Sequence, residues 1–348
     1  YRAAWNWVGR YWSLIRTGDL YVGAFYSVVD YCRPTHALRD EISGIQMKSF
    51  RANAIYFGYA FAWTLIKWMP ENFAYALAKK AAGYITKKNG RGVQRLRDNY
   101  AIVHPTYSIQ QLEDLTRRGM QSYTRYWIDT FRLPSWSHEM IKDRVEVINQ
   151  HYLTDPLDAG QGVIVSLPHA GNWDHAGAFF AALGYPVVSV AEHLEPEKLF
   201  RKFLSYRESI GLEILDLNSR AVGQLAQRLR SGKLVALLGD RDLSRTAAEV
   251  NFFNQTARMP VGPAVLSLQT GAPLITAFVS YTPTKLRIEF TPPIAHPEKG
   301  SQQENVLAMI QETANRFAFG IAGKTEDWHM LQRVFIDREF RDREAIQA

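Results

Sequence analysis

Residues 162–175 decide the fold, and they read Gly-Val-Ile-Val-Ser-Leu-Pro-His-Ala-Gly-Asn-Trp-Asp-His. The first six residues form a short apolar run, which predicts a buried β-strand. Gly171 and Asn172 are residue types that favour a turn and the cap of a helix. We therefore expect a strand that ends before His169, a tight turn, and a helix whose first turn contains Asp174.

The same change from an apolar run to helical spacing recurs after this stretch. Further strands are predicted at residues 187–190, 213–217, 234–239, 250–253, 274–281 and 286–290. Helices are expected between and after them, at about 175–183, 197–210, 220–231 and 303–320. Because strands that alternate with helices form βαβ units, the sequence predicts an α/β fold with a central, mainly parallel, twisted sheet flanked by helices.

The composition excludes several classes of protein. Of the 348 residues, 47% are hydrophobic and 22% are charged, which excludes disorder, collagen and coiled coil as descriptions of the whole chain. The single cysteine, Cys32, excludes an internal disulfide framework and a cysteine-based zinc site. The length suits one α/β domain with an added lobe.

The net charge of +7 is concentrated in one segment. Residues 47–100 contain ten basic and two acidic side chains, a surplus larger than that of the whole chain. The same segment includes residues 54–66, which carry no charge and are too few to span a bilayer, since a spanning helix needs about 20 apolar residues. An aromatic helix beside basic residues is typical of a helix that lies on an anionic membrane.

Membrane contact is therefore expected at Trp63, Lys67 and Trp68. The alternative is a buried helix packed beside a solvated basic helix, and the segment alone does not separate the two. A nucleic acid partner is disfavoured, because the central α/β region adds no basic stripe.

The chain is expected to consist of one domain with two flanking segments. Residues 1–46 are aromatic-rich without the pattern of a signal peptide, and we expect a peripheral extension of unknown role. Residues 47–335 are expected to form a single domain, helical and membrane-facing over 47–133 and α/β over 134–335. Residues 336–348 are expected to form a charged tail.

His169 and Asp174 are the candidate catalytic pair. Their five-residue spacing would point the side chains apart by roughly 140° on a continuous helix, so the pair requires His169 in the turn. The carboxyl ends of parallel strands are where open α/β sheets bind ligands. In that geometry a carboxylate can accept from one imidazole nitrogen, and the other nitrogen can take a proton from a hydroxyl. The alternative is an ordinary capped helix start.

Other catalytic chemistries lack their motifs. His175 adjoins Asp174, but no third and fourth ligand have the spacing of a metal site, so no metal is expected. Ser166 lacks the Gly-x-Ser-x-Gly elbow of serine hydrolases, and no glycine pattern for nucleotides is present. We therefore expect no cofactor.

The His-x4-Asp motif, with Gly-Asn-Trp between and an apolar strand before it, resembles the glycerolipid and lipid A acyltransferase family. Further blocks carry the resemblance over roughly residues 52–335, and they narrow it to the actinobacterial branch that acylates phosphatidylinositol mannosides. These blocks are Glu192, residues 206–211, 239–243, 249–253, 258–263, and 327–332 with the sequence Asp-Trp-His-Met-Leu-Gln.

The resemblance implies transfer of a palmitoyl-type group from acyl-CoA to a membrane glycolipid, the 6-hydroxyl of the mannose on the inositol 2-position. It implies that His169 is the general base and that the enzyme lies peripherally on the cytoplasmic face of the cell membrane. Asp240 occupies a position where the mycobacterial relative has a longer glutamate, so whether Asp174 or Asp240 orients the histidine stays open. Glu192 and Arg207 match positions that contact the sugar.

Several roles have two interpretations. Arg241 and Arg258 suit the oxyanion or a phosphate of either substrate, or ion pairs with nearby carboxylates. The backbone amides of Gly171 and Asn172 are another candidate oxyanion site. The acyl chain needs an apolar groove, for which the candidates are Phe179, Phe180, Leu183, Phe200 and Phe203, all equally suited to the core.

Two other functions stay open. One is a related acyltransferase that acts on another glycolipid, of the lipid A type, or on a lysophospholipid. The other is a catalytically silent, peripheral lipid-binding protein on the same fold.

Overall fold

The computed structural model describes residues 57–191, 197–217, 220–244 and 246–336. Our predictions for residues 1–46, for Glu192 and for nearly all of the tail at 336–348 lie outside the described residues. The strands are β1 (Val145–Ile148), β2 (Val163–Leu167), β3 (Val187–Ala191), β4 (Leu212–Asp216), β5 (Leu234–Leu238), β6 (Ala248–Phe252), β7 (Gln255–Met259), β8 (Leu274–Tyr281) and β9 (Leu286–Phe290).

The described helices lie before, between and after the strands. They are α1 (57–68), α2 (Glu71–Lys88), α3 (Arg91–Val103), α4 (Ile109–Arg132), α5 (His138–Asp143), α6 (His151–Asp158), α7 (Trp173–Ala182), α8 (Glu197–Ser209), α9 (Ala221–Arg230), α10 (Gly262–Thr270) and α11 (Gln302–Gly323).

Seven strands form the central sheet, in the order β1-β9-β8-β2-β5-β3-β4. All neighbours pair in parallel except β8 and β9, which are antiparallel. Helices α9, α10 and α11 contribute to the core on one face of the sheet, and α6, α7 and α8 contribute on the other. The predicted α/β class with a mainly parallel sheet is confirmed.

Strand β2 lies near the middle of this sheet, between β5 and β8, and all five of its residues are buried. This explains why its sequence is an uninterrupted apolar run rather than an alternating one, since both faces of a parallel strand are covered by helices. The end of β2 is therefore a fixed point from which the chain enters the turn at His169.

A strand lies where residues 250–253 predicted one, but its bounds differ by one or two residues, Ala248–Phe252. Strand β6 pairs only with β7, in a separate two-stranded hairpin. Phe253 and Asn254 form the turn, with φ of 52° and 58°, as a two-residue hairpin turn of the primed type requires. Strand β7 was not predicted because its sequence, Gln-Thr-Ala-Arg-Met, is largely polar.

Helix α1 presents two different aromatic faces. Trp63 is 8% exposed and packs against Phe131 and Phe203, with ring centroids 4.9 and 5.8 Å away. Four other apolar residues of the same helix are, in contrast, at least half exposed: Phe57, Phe61, Leu65 and Trp68. The expected membrane contact therefore cannot include Trp63, because its ring faces the protein.

The exposed residues of α1 recur at spacings of four and three, so they share one side of the helix. Among the residues that the structure describes, no helix is both long and apolar enough to cross a bilayer. Contact of this face with a membrane stays a prediction.

Candidate active site

The turn after β2 has the geometry that the sequence predicts. Gly171 has a φ of 58°, and a Cβ there would lie 2.7 Å from the carbonyl oxygen of Val279, so only glycine fits. The side chain of Asn172 caps α7 by accepting a hydrogen bond from the backbone N–H of His175 at 2.9 Å. His169 lies in the turn and Asp174 in the first turn of α7, as predicted.

Asp240 is the carboxylate that accepts from the imidazole of His169. The Nδ1 atom of His169 lies 2.6 Å from Oδ1 of Asp240, and the backbone N–H of His169 donates to Oδ2 at 3.0 Å. Asp240 follows β5, which pairs in parallel with β2. The backbone N–H of Gly239 donates to the carbonyl of Leu167, so the two strands stay paired up to this point. Adjacent strand ends thus bring together two residues that are 71 positions apart.

The electrostatics keep Asp240 ionised although it is fully buried. Burial alone would raise the pKa of this carboxyl, but the charge of His169 and the hydrogen bonds from His169 and Trp328 outweigh it and hold the pKa below its usual value. An ionised carboxylate can only accept, so Nδ1 of His169 carries a hydrogen and Nε2 is left able to take a proton. The His169 side chain is 22% exposed, so a substrate can reach it.

Asp174 has different partners. Its Oδ1 accepts from Nε of Arg207 at 3.1 Å, and its Oδ2 accepts from the hydroxyl of Tyr126 at 3.2 Å. The carboxyl is 2% exposed, and Arg207 reaches it from α8. The structure therefore brings His169, Asp174, Asp240 and Arg207 to one end of the sheet, and it divides the two carboxylates between a histidine and an arginine.

The two other candidate arginines have structural partners. Arg241 donates from Nε to the backbone carbonyl of Arg333 at 2.8 Å. Arg258 forms an ion pair with Glu249 across the β6–β7 hairpin at 3.2 Å, which is one of the two interpretations that the sequence allowed. The backbone N–H of Gly171 donates to the carbonyl of Asp327 at 2.9 Å, so it is engaged within the protein.

His175, next to Asp174, is a packed histidine. It is buried, its Nε2 lies 3.3 Å from the carbonyl oxygen of Ile141, and burial lowers its pKa to about 4. Within the described part of the chain, no group of three or more His, Cys, Asp or Glu side chains is arranged to hold a metal ion.

An apolar cavity lies beside the site, between α7 and the sheet. Side chains of β2, β3, β4, β5, β8 and β9 line it, and its polar lining includes Asp174 and Arg207. Trp173 also lines the cavity, and its ring lies edge-on to His169 with the centroids 5.7 Å apart. Of the five residues proposed from sequence for an acyl groove, Phe180 alone lines this cavity, whose lining comes mainly from strands.

Comparison with known proteins places the chain in a family. The family model described as bacterial lipid A biosynthesis acyltransferase matches residues 45–336. The chain belongs to this family. It is similar to phosphatidylinositol mannoside acyltransferase of Mycolicibacterium smegmatis, with 38% identity over 80% of this chain and 90% of the relative. It is also 36% identical to the protein of that name from Mycobacterium tuberculosis, over 79% of this chain and 86% of the relative.

Membership of the lipid A biosynthesis acyltransferase family makes the chain an acyltransferase and confirms the resemblance seen in its motifs. Sequence reasoning missed two members of the site. Tyr126 belongs to a regular helical pattern on α4 and carries no local signal. Trp328 lies within the Asp-Trp-His block that supports the resemblance, but only the structure shows its indole Nε1 donating to Oδ2 of Asp240 at 2.8 Å.

Proposed function

We propose that this acyltransferase transfers a palmitoyl-type group from acyl-CoA to the 6-hydroxyl of the mannose on the inositol 2-position of phosphatidylinositol mannosides. The observation that carries the proposal is the His169–Asp240 pair at the carboxyl end of β2, beside an apolar cavity. The names of the two relatives support the acceptor.

The reaction needs one proton acceptor and no covalent enzyme intermediate. Nε2 of His169 takes the proton of the mannose hydroxyl while the hydroxyl oxygen attacks the thioester carbonyl carbon. The new C–O bond forms, the C–S bond breaks, and the imidazolium returns the proton to the departing thiolate of CoA. The products are the acylated glycolipid and free CoA, and His169 regains its neutral form.

Asp240 is proposed to serve this cycle through its charge. It fixes the tautomer of His169 and stabilises the imidazolium that forms during attack. Positioned acid–base catalysis of this kind contributes about 10²–10⁴-fold, and the rest must come from orientation and from stabilising the thioester oxyanion. The Gly171 amide is engaged with Asp327, so the Asn172 amide is the backbone candidate for the oxyanion. Arg241 and Arg258 each have a structural partner, but a guanidinium carries five N–H donors, so both stay proposed for the oxyanion or the phosphates.

The cavity suits the acyl chain of the donor. Its lining is apolar except for a few groups, as expected of a site for a hydrocarbon chain. Trp173 contributes to this lining and also contacts the ring of His169, so a chain in the cavity would place its thioester near the base. Asp174 and Arg207 at the same lining are proposed, with Glu192, to orient the sugar of the acceptor.

A lipid acceptor requires the enzyme to reach a membrane surface. The exposed face of α1, defined by Phe57, Phe61, Leu65 and Trp68, is proposed to enter the interface of the cytoplasmic leaflet. Lys67 on the same helix, and the exposed lysines of α2, are proposed to face anionic head groups. The α2 lysines are Lys79, Lys80, Lys87 and Lys88.

A transfer assay tests the function. The full chain is incubated with labelled palmitoyl-CoA and, separately, with a phosphatidylinositol mannoside, a lipid A precursor and a lysophospholipid. We expect labelled product with the mannoside. Product with one of the other acceptors would assign a different substrate, and binding of all lipids without any transfer would identify a silent lipid-binding protein.

A vesicle-binding assay tests the docking face. Phe61→Ser combined with Trp68→Ser should weaken binding to vesicles that contain phosphatidylglycerol, because two exposed aromatic side chains are lost. Phe319→Ser is the matched control, since Phe319 is 83% exposed on α11. Equal binding by the double variant and the control would refute docking through α1.

A further inference from the structure

The segment that follows α11 lies beside the turn that carries His169. The backbone N–H of His329 donates to the carbonyl of His169 at 2.8 Å, and the N–H of Gly171 donates to the carbonyl of Asp327 at 2.9 Å. Between them, Ala170 and Trp328 form an isolated antiparallel bridge. A piece of chain about 160 positions away in sequence is thus paired to the turn like a short strand.

Trp328 connects this segment to the proposed catalytic pair. The side chain is fully buried, and its Nε1 donates to Oδ2 of Asp240 at 2.8 Å. The other oxygen of Asp240 faces Nδ1 of His169 at 2.6 Å. Both oxygens of the carboxylate therefore accept a hydrogen bond, Oδ1 from the imidazole and Oδ2 from the indole. Two bonds on opposite sides of the group restrict its rotation.

Trp328 is itself held by groups on three other elements. The hydroxyl of Tyr100, on α3, donates to the carbonyl of Trp328 at 2.9 Å. The carboxylate of the preceding Asp327 accepts from the hydroxyl of Ser122, on α4, at 2.5 Å and from the backbone N–H of Tyr281, on β8, at 2.8 Å. The backbone that carries the indole is therefore held in place independently of Asp240, as a positioning group requires.

We propose that Trp328 is a positioning residue, which holds Asp240 and through it sets the orientation and basicity of His169. This inference rests on the proposed role of His169 as general base. Trp328 does not touch the reacting atoms. It restricts rotation of the Asp240 carboxylate, and its hydrogen bond draws negative charge away from the oxygen that faces the imidazole.

Trp328→Phe tests the inference because it removes the N–H donor and keeps an aromatic ring. Misplacement of the base should lower kcat by about 10- to 100-fold with little change in KM for either substrate. Without the donor, Asp240 attracts the imidazolium more strongly, so the acid limb of the pH–rate profile should move to higher pH.

Two other titratable groups at this end of the sheet keep their side chains in this variant. They are His329, whose pKa burial and the nearby His169 lower to about 3, and Asp174, which is paired with Arg207. Trp136→Phe is the matched control, since Trp136 is also buried but packs against His175. A lower kcat and a lower thermal midpoint with an unmoved acid limb would show a merely structural role and would overturn the proposal.

A measurement without catalysis separates this proposal from the proposed function. The imidazole of His169 can be followed by NMR in protein with labelled histidine. Its Nδ1–H resonance should move in Trp328→Phe relative to the wild type, because the carboxylate that it faces loses a donor. If His169→Ala keeps full transfer, the proposed function fails while this comparison still decides the role of Trp328.

If Trp328→Phe does not fold, the wild-type protein provides the test. With labelled tryptophan, the indole N–H resonance of Trp328 should move with the same midpoint as the titration of His169. A resonance that stays constant through that titration would overturn the proposal.

Discussion

The two ends of the His169–Asp174 motif have opposite electrostatic environments. At the first end, the imidazole of His169 faces the ionised carboxylate of Asp240 and remains partly exposed. At the second end, Asp174 forms an ion pair with Arg207 and accepts a hydrogen bond from Tyr126, and the adjacent His175 is buried with its Nε2 facing the backbone carbonyl of Ile141. The first end thus combines His169, which can gain and lose a proton, with Asp240, whose negative charge stabilises the protonated form.

This contrast supports different proposed roles for the two residues of the motif, His169 as the base and Asp174 as a group that positions the substrate. A catalytic base must gain and lose a charge, so it needs a compensating carboxylate and access from solvent. A group that positions a substrate benefits from a permanent partner, such as a guanidinium, that keeps its charge at all relevant pH values. The predictions below test that division, in order of their expected effect on acyl transfer.

Replacing the base should have the largest effect. His169→Ala removes the only group proposed to take the proton of the acceptor, and transfer should fall by about 10³-fold. The measurement is the initial rate of transfer from labelled palmitoyl-CoA. His151→Ala, at an exposed position on α6, is the control and should retain the wild-type rate. Unchanged transfer by His169→Ala would show that His169 is not the base, and the proposed difference in role between His169 and Asp174 would fail.

Neutralising the partner of the base should have the next largest effect. Asp240→Asn removes the charge that stabilises the imidazolium, so kcat should fall by about 100-fold. Because the imidazolium loses its negative partner, the acid limb of the pH–rate profile should move to lower pH, opposite to the shift expected for Trp328→Phe.

Asp242→Asn is the control for this variant. Its carboxylate lies two positions further along the chain and accepts from the backbone N–H of Ser244. An acid limb that moves equally in both variants would mean that Asp240 acts only through the general charge of the region.

Neutralising the other carboxylate should affect substrate binding and stability more than the chemical step. Asp174→Asn removes the carboxylate charge that Nε of Arg207, whose side chain is 18% exposed, contacts at 3.1 Å. We expect KM for the acceptor to rise by more than kcat falls, and the free energy of unfolding to drop by about 2 kcal/mol.

Urea unfolding of the double variant Asp174→Asn, Arg207→Gln checks the cause. It should be more stable than Asp174→Asn alone, since the guanidinium that loses the charge of Asp174 is removed as well. If instead Asp174→Asn moves the acid limb as Asp240→Asn does, then both carboxylates act on His169.

His175→Gln should leave transfer nearly unchanged and alter only the pH dependence of stability. The pKa of His175 is about 4 in the folded protein, below its usual value, because burial disfavours the charged form. The unfolded chain therefore binds a proton at higher pH, and the wild type loses stability as pH falls from about 6.5 towards 4.

The variant lacks this loss, so its stability relative to the wild type should increase by about 1.4 kcal/mol for each unit of pH decrease in that window. His151→Gln, at an exposed position, should show no such gain. The measurement is chemical unfolding at several pH values. A constant difference across the window would mean that His175 gains a proton in the folded protein.

Local patterns were enough for part of the fold and of the candidate site. The strands at Leu274–Tyr281 and Leu286–Phe290 lie where the apolar runs predicted them, because both are bounded by turn residues. The cap at Asn172 and the placement of His169 in the turn also followed from residue type and spacing. Strand β1 and helix α6 were not predicted, since both are short and their apolar residues do not repeat over enough positions.

Contacts between distant segments could not be predicted from these patterns. The apolar stretch at 54–66 has aromatic residues on several sides, so only packing against Phe131 and Phe203 decides that Trp63 is buried and Trp68 exposed. The same holds for Trp328, whose partner Asp240 is 88 positions away.

The sequence by itself determined the strand, the turn, the capped helix and the presence of a histidine and two carboxylates, because these depend on neighbours within a few residues. The tertiary structure alone decided which carboxylate serves the histidine. Parallel pairing of β2 with β5 places Asp240 against His169, while α8 supplies Arg207 to Asp174. A side chain's charge partner depends on which strand ends meet, and strand order is set by the packing of the whole sheet.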